Sequence, residues 1–160
     1  MAGTVSNINP TNKTIVISTD DGSEGLFKDM TAMNLSVDFA KDLRADSTPA
    51  DAFSKKGTHV IVYYFGDGDE RTAIALQDLG GGPLKKISGS VTKFNRHEHL
   101  LTIKDSAGAS ESFRIAPKTV AETAVGAVQG ERFDPEKGEQ VRVTATLANG
   151  GPEALFIRTQ

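Results

Sequence analysis

Three short segments carry side chains suited to chemistry. Asn95-Arg96-His97-Glu98-His99 sets two imidazoles two residues apart. In an extended chain alternate side chains share a face, so His97 and His99 would offer Zn, Ni or Cu two nitrogen ligands, with Glu98 between them as a weaker donor. No third, sequence-distant ligand accompanies them, and the ordinary alternative is a solvated hairpin tip. Gly66-Asp67-Gly68-Asp69-Glu70 resembles the start of a calcium loop but lacks the twelve-residue spacing with its terminal bidentate Glu, so it reads as a turn with solvated acids. Three such carboxylates on a ligand rim would repel phosphates. Gly80-Gly81-Gly82-Pro83 lacks both the strand-to-helix setting and the Lys of a phosphate cradle, and reads as a connection.

Several function classes fall away. Cysteine is absent, which removes thiol nucleophiles, disulfides and thiolate metal sites while leaving the compartment open. There is no Gly-x-Ser-x-Gly elbow, phosphate loop or His-Glu-x-x-His pair, and three histidines with scattered carboxylates prefer no catalytic arrangement. The expectation is a protein that is not an enzyme and has no cofactor. Nucleic acid is not an expected partner either. Residues 1–86 carry nine Lys/Arg against twelve Asp/Glu and residues 87–160 carry nine against nine, so neither half is basic. Trp is absent, and the outward positions of the second strand in each half (Thr14, Val16, Ser18 and Leu100, Thr102, Lys104) hold no aromatic platform. No apolar run approaches the ~20 residues a spanning helix needs, so no membrane insertion is expected.

The elements that position these residues come from an internal repeat. Gly3, Val5, Ile8, Asn9, Ile15, Ile17, Gly22 and Phe27 correspond to Gly89, Val91, Phe94, Asn95, Leu101, Ile103, Gly108 and Phe113, each pair 86 positions apart. Lys56-Gly57, Val60, Val62, Ile74 and Leu76 correspond to Lys137-Gly138, Val141, Val143, Leu155 and Ile157, 81 positions apart. A duplication this regular implies two units, each with its own core. Their bounds are 1–79 and 87–160, with a Gly/Pro hinge at 80–86. A linker that short, at roughly 5–6 Å × √n, keeps the units within contact range.

Within the second unit, alternation predicts strands over 88–94, 100–104, about 110–115 and about 140–146, and a fifth carrying Leu155 and Ile157. Between strands three and four, Thr119-Val120-Ala121-Glu122 reads as a capping box, and Val120, Ala124 and Val128 recur every four residues to Gly130, which predicts a short helix. The first unit repeats the order, with a helix from Ser36 to about Arg44 on Leu35, Phe39 and Leu43, and a fourth strand over 59–65. Three strands, a helix and two strands is the order of the OB-fold. The fold class is therefore mainly β: two tandem five-stranded OB-like β-barrels, each with one short helix between strands three and four.

Gly89-x-Val91, Leu101-x-Ile103, Asp105 to Gly108, Phe113 and Lys137-Gly138-x-x-Val141-x-Val143 together resemble a bacterial family of small OB-like β-barrel domains of unknown function. The resemblance covers nearly the whole chain as two copies. It implies a barrel fold and an exported, periplasmic or extracellular setting, with a cytoplasmic one as the alternative. It transfers no catalytic residue, because the matching positions are Gly, Val and turn residues.

One asymmetry between the copies bears on function. If Val60, Val62 and Tyr64 face the core as Val141, Val143 and Ala145 do, then Ile61, Tyr63 and Phe65 face outward where the second unit has Arg142, Thr144 and Thr146. Phe156 faces outward opposite the small Ala75 of the first unit. Such a stripe either packs against the neighbouring barrel or the 36–53 segment, or serves a partner. The expectation is a non-catalytic binding or assembly module that contacts a protein partner, or itself, through Ile61, Tyr63, Phe65 and Phe156. The alternative is a small-ligand or metal-binding protein using the loops around His97 and His99.

Overall fold

A computed structural model describes residues 1–29, 41–80, 82–148 and 150–160. The chain divides into two compact units, Met1–Gly81 and Gly82–Gln160. The first contains β1 (Ala2–Asn9), β2 (Thr14–Thr19), β3 (Glu24–Asp29), β4 (Thr48–Pro49), β5 (His59–Phe65) and β6 (Thr72–Asp78). The second contains β7 (Leu84–Asn95), β8 (Leu100–Lys104), β9 (Ser110–Thr123), β10 (Gly126–Gln129), β11 (Gln140–Ala148) and β12 (Gly151–Thr159).

Each unit is a closed five-stranded barrel, with one additional strand at its edge among the described residues. In the first, the order β3-β2-β1-β5-β6 is closed by a parallel pairing of β3 with β6, and β4 lies on β6. In the second, β8-β7-β11-β12-β9 is closed by β9 on β8, with β12 and β9 parallel, and β10 extends the sheet beyond β9. Closure removes the exposed edges that an open sheet of this size would leave. The expected pair of OB-like barrels is present.

The repeated residues build both barrels in the same way. Phe27 and Phe113 are fully buried at the centres of the two cores, among Val5, Ile15, Ile17, Val60 and Val62 in one and Val91, Leu101, Ile103, Val141 and Val143 in the other. Burying each such side chain stabilises the fold by roughly 1.5–3 kcal/mol. Gly3 and Gly89 are required by close strand approach: an added Cβ would lie 2.4 Å from the Ser18 carbonyl oxygen in one unit and 2.4 Å from that of Lys104 in the other. Just beyond them the first strand of each barrel bulges, after Val5 and after Val91. The bulge hydroxyls bond back across the strand pair, Ser6 to the Val16 carbonyl and Thr92 to the Thr102 carbonyl, both at 3.1 Å. The repeated Lys-Gly turn docks on the same valine: the Gly57 and Gly138 amides each donate at 2.8 Å to the carbonyl of Val5 or Val91.

Three features depart from the sequence reading. The helix expected from Thr119 to Gly130 is a β-hairpin, in which β9 continues to Thr123 and β10 returns along it. Thr119 caps nothing. Its buried hydroxyl donates to the Ala154 carbonyl at 2.6 Å and accepts the Ala116 amide at 2.9 Å, tying β9 to β12. Val120, Thr123, Val125 and Val128 favour strand, and the four-residue spacing is equally met by a hairpin in which Ala121 opposes Val128. In the first unit, Leu35, Ser36 and Phe39 lie outside the described residues; α1 (Lys41–Arg44) is described, with Leu43 buried.

Second, β7 begins at Leu84, so residues 84–86 of the expected hinge pair with β11 and belong to the barrel. Third, Ile74 and Leu155 do not enter the cores. Both sit at a register shift, and Ala73 and Ala154 take the inward place instead. Strict alternation cannot reveal a bulge, which adds one residue and reverses the facing of every later residue in the strand.

Candidate functional site

The outward stripe sits on β5 and β12. Ile61, Tyr63 and Phe156 belong to neither core cluster, as the alternation requires, yet they are only 1%, 5% and 4% exposed, whereas Phe65 is half-buried. The same cross-strand position is filled by exchanged sizes in the two units: large Tyr63 pairs with small Ala75, and small Thr144 pairs with large Phe156. The Tyr63 hydroxyl donates to Gln77 Oε1 at 2.7 Å, which satisfies it in a buried setting. These side chains are not open to solvent; Phe65 is the accessible end of the first unit's stripe.

His97, Glu98 and His99 are exposed in the turn joining β7 and β8. The turn is tight rather than extended, which removes the shared face on which the two-imidazole grip depended. Asn95 shapes it: its side-chain oxygen accepts the amides of His97 (3.1 Å) and Glu98 (3.3 Å), and its nitrogen donates to Glu98 Oε2 at 2.6 Å. His99 adopts φ +50° and its counterpart Lys13 φ +53°. The carbonyl of each accepts an amide from the third strand, Ile115 at 2.7 Å and Asp29 at 2.8 Å. The left-handed position is thus a feature of the fold, served by Lys in one copy and His in the other. Among the described residues, no group of three or more His, Asp or Glu is placed to hold a metal ion.

The acidic loop Gly66–Glu70 forms a short 3₁₀ turn, Gly68–Glu70, between β5 and β6. Glu70 pairs with Lys28 at 2.7 Å, and that hydrogen bond, with the nearby positive charge, holds its carboxyl below the ordinary range. Asp67 and Asp69 remain exposed beside it.

Two arrangements escaped the sequence reading. The first joins Thr4, His59 and Asp20. His59 is 8% exposed; its Nδ1 lies 3.1 Å from Thr4 Oγ1 and its Nε2 3.1 Å from Asp20 Oδ2. A hydroxyl, an imidazole and a carboxylate in sequence resemble a nucleophile with its base and orienting acid. The second unit holds Ser90 and Gln140 at the equivalent register, with Gln140 Nε2 donating to Ser90 Oγ. An amide cannot act as a proton acceptor for Ser90, so the feature shared by both units is a polar brace across the seam between the first and fourth strands.

The second is an open cleft of about 770 Å³ in the second unit, beside the β9–β10 hairpin. Val128 and Phe133 line it, and Phe133 packs on Phe94 with ring centroids 6.2 Å apart. Arg132, Asp134, Glu136, Lys137 and Glu139 surround it. Arg96 grips Asp134 through Nε at 2.9 Å and a second guanidinium nitrogen, and Glu139 Oε2 accepts the Glu136 amide at 3.0 Å. Val125, at the hairpin turn, is 93% exposed. A hairpin mistaken for a helix conceals both the cleft and its apolar tip; the dense run of Val and Thr from 119 to 128 was the signal available.

No family model matches the chain, and no curated protein matches it. A solved structure titled "Crystal structure of Ag(I)CusF" is similar to part of it, with 14% identity over 49% of this chain and 100% of that one, at a TM-score of 0.38. A likeness this slight carries no argument about fold or ligand.

Proposed function

We propose that this protein is a non-catalytic binding or assembly module that makes protein–protein contacts through apolar surface outside the barrel cores. The observation that supports the reading best is the outer wall of β5. Ile61 and Tyr63 lie outside the first unit's core cluster, on the face where the duplicated strand carries Arg142 and Thr144, and Phe65 extends the same face to a half-buried position. Ile61 and Tyr63 are covered within the chain, so Phe65 is the part of this face left as apolar surface for a partner. The partner is a protein or a second copy of the chain. The resemblance to small OB-like bacterial domains supports an exported setting for the module.

Phe65→Lys tests the reading at the accessible end of the stripe, without forcing a charge into a buried site. Light scattering after size exclusion, over a range of concentrations, should show a smaller assembled fraction for the variant, with circular dichroism unchanged. Assembly equal to the wild type would remove the stripe from the contact.

A further inference from the structure

We draw no further inference here: the strongest candidate, the open cleft beside the β9–β10 hairpin of the second unit, is ringed by balanced charges, and nothing in the structure shows what covers it.

Discussion

The two barrels brace the same seam with different chemistry. Where the first strand meets the fourth, the first unit uses Thr4, His59 and Asp20, drawing in the turn after β2, and the second uses Ser90 with Gln140 and Ser88 with Arg142. Their cores diverge in the same measured way. Phe27 and Phe113 fill equivalent places, but Phe27 has Tyr64 edge-on at 5.3 Å and the Arg71 guanidinium 5.9 Å above its ring, whereas the counterparts of those two residues are Ala145 and Pro152. Their extra strands diverge most: two residues with a proline on β6, against four uncharged residues on β9. Duplication has held fixed what closure of the ring requires, namely the glycine at the strand crossing, the bulge and the Lys-Gly turn. It has left free the packing around the core and the edge beyond the ring. Functional difference between the copies therefore belongs in the latter places.

The largest test of this comparison is the pair Phe27→Ala and Phe113→Ala. Each should cost about 3–5 kcal/mol in chemical denaturation, and the Phe27 variant should cost more, by roughly 0.5–1.5 kcal/mol, because it also loses an aromatic partner. Equal losses would show that the aromatic cluster adds nothing to the first core.

Gly3→Ala and Gly89→Ala come next. A Cβ pressed against a backbone carbonyl has no flexible neighbour to displace, so each should destabilise its own unit by about 1–3 kcal/mol. Amide exchange resolved along β2 and β8 would locate the loss, and a change confined to the untouched unit would contradict separate cores.

Smaller effects attend the seam. His59→Gln installs the second unit's residue in the first and should lose only about 1 kcal/mol, since an amide still bonds Thr4. His59→Leu should lose roughly 1–3 kcal/mol, because it withdraws a hydrogen bond from the buried Asp20 carboxylate. If the two substitutions prove alike in thermal unfolding, polar bracing is irrelevant there.

The smallest effect is one of pH. The Lys55 ammonium and the Gly80 amide hold the Asp78 carboxyl below its ordinary range. A carboxyl depressed in the folded state adds stability above its unfolded value and loses it as pH falls through the folded one. In a side chain one-third exposed, screening limits the gain to about 0.5 kcal/mol or less. Asp78→Asn should flatten the acid limb of the stability curve by that amount; an unchanged limb would mean the pair contributes nothing.

Much of this architecture is written locally. Strand alternation, the 86- and 81-residue offsets and the turn glycines specify two cores and their ring order, because barrel closure acts through a few short-range steric rules that recur in each copy. The offset alone also pairs Lys13 with His99, which made the imidazole at position 99 dispensable to the fold. Tertiary contacts settled the rest. Whether Thr119–Val128 coils or extends depends on Thr119 finding the Ala154 carbonyl, 35 residues away, and on Ala121 fitting against β12. Ile74 and Leu155 turn out of the cores because each strand must bulge to keep register with its neighbour. His59 met Asp20 and Thr4 only when β1, β5 and the turn after β2 converged. Local propensity sets which elements form; partners distant in sequence set which way a marginal segment goes and which polar groups become neighbours, and those are the contacts from which a binding surface is made.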